Sequence, residues 1–506
     1  MQLHLERDSG VPLHRQIELE IRSRIDAGDL RVGDRLPASR RLARALGVNR
    51  ATVTAAFEAL AAAGLVEATV GRGTEVIRSA ARTGSEPAPV RPTASAPPDW
   101  AALLSGALDA RGSQAERVAT RGVPVPGGFD FTALVPDEAL FPTDRLRRCL
   151  DEVLRRDGSQ LLQYGPPAGH ASFRELLAQR MRRAGMQVDA DDVIIVNGAQ
   201  QGLDLFCRAL LDAGDVVAVE SPTYANLLPV LRLHRAEIHP LPMTPSGLDC
   251  DRLESLLEAR PVKFLYTMPH FQNPTGITST LPHRKRLLEI AARHRLTILE
   301  DGYEEDLRWD GGEMLPLRAL DDSGRVCYLG TFSKGLVPGF RIGWLVAHRD
   351  LLVHIAHLKR TTDYHTPLVL QAALEEFCRR GDYDAHLRRL RRTYRTRMAA
   401  ATAAFEKHLP PDVRWRVPQG GYCLWVELPA RIPVDELLSR LARDGVHVTP
   451  GRHFFANEPE FGCFRMSISR TNEEQIEAGI GILGRHLRDL AREPERGESR
   501  LAAPYV

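Results

Sequence analysis

The chain has 506 residues, which exceeds one typical domain, so two or more folded units are expected. Its hydrophobic and charged fractions, 43% and 26%, are ordinary for a globular protein, and a formal net charge of +2 neither requires nor excludes a polyanionic partner. The seven cysteines are scattered without metal-ligand spacing, and no apolar run approaches membrane-spanning length, so we expect a cytoplasmic protein with no zinc site, secretion signal or transmembrane segment.

The N-terminal region shows the pattern of three short helices. Apolar residues at helical spacing from Leu13 to Ile25 predict a first helix that ends near Gly28. A second, amphipathic helix runs up to Gly47 with Ser39 as its N-cap, and a third opens near Asn49. Two helices joined by a tight turn form a helix-turn-helix, whose second helix presents its first polar residues to the DNA major groove. The expected DNA contacts are Arg40, Arg41, Asn49, Arg50, Thr52 and Thr54.

A β-hairpin is expected directly after the third helix. The segments 65–67 and 74–77 alternate like strands around Gly71-Arg72-Gly73, which would form a wing. Such a wing can bring Arg72 to the minor groove, and Gly71 lies in the same turn. Arginines collect in the second helix, the turn and the wing, as phosphate contact requires. The alternative interpretation is a packing module whose arginines are merely solvated.

The stretch LPASRRLARALGVNRATVTAAFEALAAAGLVEATVGRGTEV resembles the winged helix-turn-helix of the GntR family, and the resemblance extends from about Leu3 to Ile77. It implies that residues 1–78 bind double-stranded operator DNA. It places the DNA contacts of the family on Arg40, Arg50, Thr52 and the wing at Gly71.

The composition changes after the wing. Residues 79–127 are rich in Pro, Ala, Ser and Thr, as in ARTGSEPAPVRPTASAPPDW, and such a segment cannot bury a core. We therefore predict a linker, within which residues 100–108 have the pattern of a short docking helix. The C-terminal residues 491–506 are predicted to be a disordered tail.

From residue 128 onward, short apolar runs alternate with helical patterns. The runs 193–196, 216–219, 264–266 and 297–299 are typical of buried strands. Their alternation with helices predicts an α/β fold, in which helices cover both faces of a mainly parallel sheet. In such a fold the functional residues lie where the strands end.

Each of these four strands is followed by residues that suit a phosphorylated aromatic ligand. Residues 197–202 form a small-residue turn that opens a helix and can aim backbone N–H groups at a phosphate. Tyr224 follows the next strand and can stack on a planar ring. Asn273 can donate to a phenolate oxygen. Asp301 can pair with a pyridinium nitrogen, with the Tyr303 hydroxyl near the ring oxygen.

A fifth apolar strand leads into Gly330–Gly343, which contains a lysine followed by an arginine. Lysine is scarce, with five in the chain, so its presence here is not a consequence of a lysine-rich background. A partly desolvated lysine amine can attack an aldehyde, whereas a guanidinium cannot. Pyridoxal 5′-phosphate (PLP) is such an aldehyde, and Thr331, Ser333 and Arg341 would hold its phosphate beside Lys334. Taken alone, the stretch is also compatible with a surface loop.

The ordered series resembles the fold-type I PLP enzymes of the aspartate aminotransferase superfamily, from about residue 130 to 487. The resemblance implies a PLP-binding, effector-binding and dimerisation domain at residues 128–490, with a smaller α+β lobe that contains PQGGYCLW. Within QYGPPAGHASFRELLA it implies that Tyr164 reaches the phosphate of a neighbouring subunit, and within FRMSISR that Arg465 binds a carboxylate. The implied cofactor residues are Tyr164, Gly198, Ala199, Gln200, Tyr224, Asn273, Asp301, Tyr303, Thr331, Ser333, Arg341 and Lys334, the last being catalytic.

A GntR-like DNA-binding domain followed by an aminotransferase-like domain is the organisation of the MocR subfamily of GntR regulators. The resemblance implies a homodimeric transcription factor that senses an amine, an amino acid or PLP itself. A complete PLP site is equally compatible with an active aminotransferase that has an accessory DNA-binding head. The DNA-binding domain favours regulation, because an enzyme needs no operator. A fold alone does not determine an activity.

Overall fold

The computed structural model describes residues 3, 5–6, 10–69, 73–77, 128–312 and 314–493. The chain divides into two compact units, one within residues 1–102 and the other within residues 103–506. The predicted linker with its docking helix, the wing residues Gly71 and Arg72, and residues 494–506 of the predicted tail lie outside the described residues.

The N-terminal unit combines three helices with a small antiparallel sheet, as the sequence predicts. Gly47 ends the second helix in the left-handed conformation, with φ of 63°, which glycine adopts without steric cost. The hairpin strands pair from Val66 with Val76 to Thr69 with Gly73. The described elements are α1 (Leu13–Asp26), β1 (Arg35–Leu36), α2 (Ser39–Leu46), α3 (Arg50–Ala62), β2 (Val66–Thr69) and β3 (Gly73–Val76), and the strand order is β1-β3-β2.

Two local features of this unit differ from the sequence expectation. Ser39 is the first helical residue of α2 rather than its cap, because Ala38 occupies the cap position and makes no side-chain capping hydrogen bond. In α1, Glu18 is buried, although it interrupts the apolar pattern. It is tolerated there because Arg15 and Arg22, one turn before and after it, both pair with its carboxylate.

The C-terminal unit is built on an eight-stranded sheet. Its strands are β5 (Val193–Val196), β6 (Val216–Ser221), β7 (Glu237–Thr244), β8 (Gly247–Leu248), β9 (Phe264–Thr267), β10 (Thr297–Asp301), β11 (Val326–Thr331) and β12 (Gly343–Val346). Their order in the sheet is β5-β12-β11-β10-β9-β6-β7-β8. The strands β11, β10, β9, β6 and β7 are parallel neighbours, whereas β12 runs antiparallel to both β11 and β5.

Helices bury both faces of this sheet, which explains why its strands appear as continuous apolar runs. In β5, Ile194 packs on one side with Phe206, while Ile195 packs on the other with Phe173. The helices of this part are α4 (Thr143–Leu161), α5 (Ala171–Arg183), α6 (Ala199–Leu210), α7 (Leu227–Leu233), α8 (Cys250–Ala259), α9 (Leu281–His294), α10 (Leu317–Leu320), α11 (Arg349–Thr362) and α12 (Leu368–Arg379).

A smaller α+β lobe follows, as the sequence predicts. Its antiparallel sheet has the order β13-β14-β17-β16, and α13 (Asp382–His408) leads into it. Its other elements are β13 (Arg414–Trp415), β14 (Cys423–Glu427), α14 (Val434–Arg443), β15 (Val446–His447), β16 (Thr449–Pro450), β17 (Cys463–Ser467) and α15 (Glu473–Arg492), with β15 pairing with β4 (Phe129–Asp130). Along the described ranges, every helix is too short or too polar to cross a membrane.

Candidate functional site

The loops that follow β6, β9, β10 and β11 meet at one edge of the sheet. These four strands are parallel neighbours, so their carboxyl ends at Ser221, Thr267, Asp301 and Thr331 point the same way. The loops after these strands carry Tyr224, Asn273 and Tyr303 together with Ser333 and Lys334. This edge is therefore where the fold places most of the residues that the sequence singled out.

Asp301 is a buried carboxylate at the end of β10, and one of its two oxygens has no partner. Its Oδ2 accepts a hydrogen bond of 2.6 Å from the Tyr266 hydroxyl, while its Oδ1 is buried with no donor among the described residues. Burial raises the pKa of Asp301 to about 6, and the Tyr266 hydrogen bond opposes that rise. A buried acceptor without a donor indicates a missing partner, and a protonated pyridine nitrogen would supply one.

Lys334 lies on the loop after β11, close enough to interact electrostatically with Asp301. Its Nζ donates to the Leu134 carbonyl oxygen at 2.6 Å. Burial lowers the pKa of the Lys334 amine, and the charge of Glu304 opposes that shift. A lysine with a lowered pKa has a larger fraction of neutral, nucleophilic amine at neutral pH, as attack on a carbonyl group requires.

Arg465, on β17 of the smaller lobe, reaches the same site. Its Nη1 donates to Asn273 Oδ1 at 3.1 Å, and its Nη2 donates to the Thr132 carbonyl oxygen at 2.9 Å. The guanidinium carbon lies 5.0 Å from the centroid of the Phe454 ring. Asn273 is thereby oriented with its oxygen toward Arg465, which leaves its amide nitrogen to donate elsewhere. Arg465 is a buried cation suited to binding a ligand carboxylate.

The turn before α6 lies against Arg341 and forms a cradle for an anion. Gly198 has a φ of 77°, and a Cβ at this position would overlap the Arg341 guanidinium. The hydroxyl of Thr331, the last residue of β11, donates a hydrogen bond of 3.0 Å to Ser333 Oγ on the loop that follows. The first backbone N–H groups of α6, from Ala199 onward, also carry the positive end of the helix dipole. The arrangement suits a phosphate.

Tyr224 and Gln200 lie together beside this cradle. The Tyr224 hydroxyl is 3.4 Å from Gln200 Oε1, and it accepts a hydrogen bond of 3.1 Å from Asn226. Burial raises the pKa of the Tyr224 hydroxyl, which therefore stays protonated at neutral pH. The hydroxyl is engaged in these contacts, and the aromatic ring of Tyr224 is the part of the side chain suited to stacking on a planar ligand.

Two predicted cofactor residues are engaged elsewhere within the single chain. The Tyr303 hydroxyl donates to the Phe271 carbonyl oxygen at 2.7 Å, so only its lone pairs remain for a ligand. Tyr164 has 78% of its surface exposed, and its ring packs 5.6 Å from that of Tyr364. Among the described residues, Tyr164 forms no hydrogen bond or ring contact with the other predicted cofactor residues.

The structure adds residues that sequence reasoning missed. Tyr266, on β9, positions Asp301 through the hydrogen bond given above. Glu304 is a buried acid whose pKa burial raises to about 7, and its charge interacts with that of Lys334. Gly343, at the start of β12, allows close approach, because a Cβ there would lie 3.0 Å from the Ala199 nitrogen. The only sequence signal for Glu304 was its position three residues after Asp301.

An ion pair with a buried lysine supports the turn that forms the anion cradle. Lys359 is fully buried on α11, and its Nζ bonds both carboxylate oxygens of Asp363, at 2.9 and 3.0 Å. Asp363 also accepts hydrogen bonds from Asn197 and Gln201, which flank Gly198 in sequence. This network fixes the turn before α6 and therefore the direction of its N–H groups.

The N-terminal unit presents an arginine-rich face. Arg40, Arg41 and Arg50 are exposed, and they form no ion pair with the described residues. Asn49 caps α3 through a 2.9 Å hydrogen bond with the Ala51 nitrogen, so its side chain is partly committed to the fold. Exposed guanidinium groups around a helix N-terminus are suited to contacting phosphates and base edges.

Two threonines of this recognition helix are less accessible. Thr52 and Thr54 are half-buried, and the Thr54 hydroxyl donates to the Arg50 carbonyl oxygen at 3.1 Å. The proposed base contacts therefore rest mainly on Arg50. The wing residues of the prediction, Gly71 and Arg72, lie outside the described residues.

The chain matches two protein families, one for each unit. Residues 137–483 match aminotransferase class I and II, and residues 13–76 match the bacterial regulatory proteins of the gntR family. A solved structure, LysN, the alpha-aminoadipate aminotransferase of Thermus thermophilus complexed with N-(5′-phosphopyridoxyl)-L-leucine, is 32% identical. Its superposition covers 78% of this chain and 99% of that chain, with a TM-score of 0.72. The protein is thus a gntR-type helix-turn-helix joined to an aminotransferase domain.

Two relatives named as regulators match nearly the whole chain. The probable rhizopine catabolism regulatory protein MocR of Rhizobium meliloti is 33% identical, with 95% of each chain covered. The uncharacterized HTH-type transcriptional regulator YisV of Bacillus subtilis is 32% identical over 94% of this chain and 96% of its own. The chain belongs to the family of MocR-like regulators.

Proposed function

We propose that the protein is a PLP-dependent transcriptional regulator that senses an amino compound at the aminotransferase-like site. The observation that carries this proposal is the buried Asp301, whose Oδ1 lacks a donor among the described residues and which lies beside a lysine of lowered pKa. The exposed arginines of the helix-turn-helix supply a DNA-binding surface on the same chain. A location in the cytoplasm, where the DNA is found, follows from this assignment.

PLP, when bound, supplies an aldehyde that reacts with amines and a ring that withdraws electrons. Asp301 would hold the ring nitrogen in its protonated form, and Tyr224 would stack on the ring. Arg341, Ser333 and Thr331, together with the N-terminus of α6 at Gly198, Ala199 and Gln200, would bind the phosphate. Lys334 would hold the cofactor covalently. Asn273 and Tyr303 would contact the ring oxygen.

Effector binding would change two of these residues at once. Lys334 would hold the cofactor in the absence of effector, and its amine would be free when an effector amine is bound to the cofactor instead. A carboxylate on the same molecule would bind Arg465, whose present contact to Asn273 joins the two lobes. An amino acid is therefore distinguished from a simple amine by a rearrangement between the lobes, and this change is available to signal to DNA binding.

The second candidate function is an active aminotransferase with an accessory DNA-binding head. It is favoured by the buried Lys334, the predicted catalytic residue, and by relatives such as the aromatic-amino-acid aminotransferase 1 of Thermococcus litoralis, 35% identical over 70% of this chain. Under this alternative, the neutral Lys334 amine would act repeatedly as the base that moves the substrate proton. Multiple turnover distinguishes the two functions.

We also propose that the protein is a homodimer through its large domain. Tyr164 lies on the surface beside other exposed apolar side chains, with Leu162 73% exposed and Tyr364 59% exposed. Such a patch is more typical of an interface than of a solvated surface, and across it Tyr164 would reach a partner's phosphate site. Light scattering of the PLP-loaded chain should give twice the chain mass of 56.2 kDa, and a monomer with full PLP occupancy would contradict the proposal.

Effector-dependent DNA binding tests the proposed function. The DNA is a duplex selected from a randomised pool by the full chain, and the ligands are L-leucine, L-2-aminoadipate, L-glutamate and simple amines. We expect at least one ligand to change the affinity for the duplex by about 5- to 150-fold, the usual range of allosteric coupling. Linkage requires the duplex to change the affinity for that ligand by the same factor, which calorimetry measures.

Two variants and one further measurement control this experiment. Lys334→Ala should bind the duplex without responding to any ligand, because the displaceable amine is absent. Arg50→Ala should lose about 1–3 kcal/mol of duplex affinity, with or without ligand, because it acts only at the DNA. Rapid multiple-turnover transamination, with DNA binding indifferent to every ligand, would instead establish the enzyme function.

A further inference from the structure

We infer that the C-terminal unit has a second ligand site, a cavity of about 740 Å³ behind the cofactor residues that binds a small aromatic anion. Its volume lies within the range of ordinary small-molecule sites, roughly 300–1,000 Å³. Its wall is formed by the C-terminal half of α5, the first half of α13 and the segment that follows β10.

The cavity is adjacent to the cofactor site but distinct from it. Its wall includes Gly302, the residue after Asp301, and also Phe332 and Gly335, which lie on either side of Ser333 and Lys334 in sequence. Tyr303 and Thr331, two of the predicted cofactor residues, also line the cavity, whereas Asn273, Asp301, Lys334 and Arg341 do not. The two sites therefore share a wall formed by the loops that carry the cofactor residues, and the residues that would hold the ring nitrogen and the aldehyde lie outside the cavity.

One side of the cavity is aromatic. The Phe332 ring lies 5.2 Å from that of Trp344 and 5.1 Å from that of Tyr383, and all three rings line the space. Only 8% of the Trp344 surface is exposed, and its Nε1 has no acceptor among the described residues. An aromatic ligand can stack or pack edge to face against these rings, and a polar atom on it would satisfy the indole N–H.

The acidic residues of the wall are largely engaged within the fold. Glu304 is buried, and Asp310 is the exposed acid of the set. The others form hydrogen bonds of 2.6 to 2.9 Å in the pairs Tyr328–Glu305, Tyr383–Asp306 and Arg180–Asp384. Arg180 offsets the charge of Asp384, and the wall as a whole has six arginines against these five acidic residues.

Three arginines of the wall have no such partner. Arg183, Arg392 and Arg395 are exposed and form no ion pair within the described part of the chain. Three uncompensated guanidinium groups at the entrance give it a positive potential, which attracts an anion. Aromatic rings inside and cations at the entrance together specify an aromatic carboxylate, sulfonate or phosphate.

Binding of 1-anilinonaphthalene-8-sulfonate, an aromatic anion that fluoresces on apolar surfaces, tests this inference on the PLP-loaded full chain. We expect saturable binding at one site per chain, with or without PLP. The double variant Arg392→Gln/Arg395→Gln should weaken binding by about tenfold, because two charges at the entrance are lost. Ala184→Trp, which projects into the cavity wall, should weaken it at least as much.

The matched control is Arg388→Gln/Arg389→Gln. These two exposed arginines lie on the same helix, α13, but outside the cavity wall, so we expect unchanged affinity. Equal weakening by the control and the entrance variant would overturn the second site, and so would complete displacement of the dye by one equivalent of PLP per chain, the amount that fills the cofactor site. If Ala184→Trp fails to fold, the two arginine pairs still decide the outcome.

A regulatory role of the cavity has its own measurement, and this part rests on the proposed function. A ligand against Phe332 and Gly335 contacts the loop that carries Lys334, so saturating dye should change the PLP affinity by about threefold or more. Unchanged PLP affinity, with dye binding intact, would overturn the regulatory role. Absence of PLP binding under every condition would instead count against the proposed function.

Discussion

Lys334→Ala should abolish covalent attachment of PLP. Borohydride treatment of the PLP-loaded protein should fix one phosphopyridoxyl group on Lys334, which peptide mass spectrometry detects. The expectation follows from the burial that lowers the pKa of this amine and from its position near Asp301 and directly after Ser333. In the variant, no other side chain among the described residues presents an amine at this position, so the labelled peptide should be absent.

The matched control for this variant is Lys285→Ala. Lys285 is an exposed lysine on α9, and PLP labels exposed amines only weakly and non-specifically. The control should therefore retain labelling at Lys334 and the visible absorption of the bound cofactor. Full labelling of Lys334→Ala at another residue would show that the covalent site has been wrongly assigned.

Asp301→Asn should weaken PLP binding strongly while leaving the covalent lysine in place. The substitution keeps the size of the side chain but removes the negative charge that would face the ring nitrogen. Removing one partner of a buried ion pair typically costs about 3 kcal/mol, or roughly 100-fold in affinity. Equilibrium titration of the absorption spectrum measures this loss.

Tyr266→Phe is the graded comparison for the same site. It removes the hydrogen bond to Asp301 Oδ2 but keeps the carboxylate, so a loss of about 1 kcal/mol is expected. Equal losses in the two variants would mean that the hydrogen-bond geometry matters and the charge of Asp301 does not.

Asp301 also makes PLP binding depend on pH. In the free protein the pKa of Asp301 is raised to about 6, so below that pH the carboxyl is protonated and neutral. Binding a protonated ring then requires loss of this proton, and affinity should fall as the pH drops through about 6. Asp301→Asn should lack this component. The pH dependence therefore separates the contribution of Asp301 from that of Lys334.

The raised pKa has the opposite consequence for the stability of the cofactor-free fold. A carboxyl whose folded pKa lies above its unfolded value of 3.8 destabilises the folded state at pH values above about 6, and this cost is lost as the pH falls. Asp301→Asn should thus raise the thermal midpoint of the cofactor-free protein at about pH 7.5 while it lowers the affinity for PLP. The negative charge of Asp301 therefore destabilises the cofactor-free fold, although the same charge favours PLP binding.

The site predictions rest on residues whose chemical type is itself informative. Lys334 was singled out because lysine is rare in this chain, Asp301 because it closely follows an apolar run, and Asn273 because it lies in the turn that comes after another such run. The sequence did not single out Tyr266, since this residue ends the apolar run Phe264-Leu265-Tyr266 and resembles a core residue. Its contact with Asp301 depends on the pairing of β9 with β10, which places Tyr266 opposite Leu299.

The cavity and the support of the anion cradle also required the tertiary structure. Lys359 and Asp363 are an i,i+4 pair, which sequence alone would assign to a solvated helix face. The burial of Lys359, and the contact of the half-buried Asp363 with the turn at Gly198, follow from the packing of α11 against α6. Arg392 and Arg395 likewise acquire a shared role only when α13 is placed beside the segment after β10.

The position of β12 in the sheet has a consequence for biosynthesis. Strand β5, which leads to Gly198, lies at the sheet edge, and its one strand neighbour among the described residues is β12. A ribosome finishes β5 at Val196 but does not begin β12 until Gly343, so the nascent chain carries an unpaired apolar strand throughout that interval. The β11–β12 hairpin that closes this edge also delivers Lys334 and Arg341. A truncated chain therefore has both an exposed edge that favours aggregation and no means of holding the cofactor.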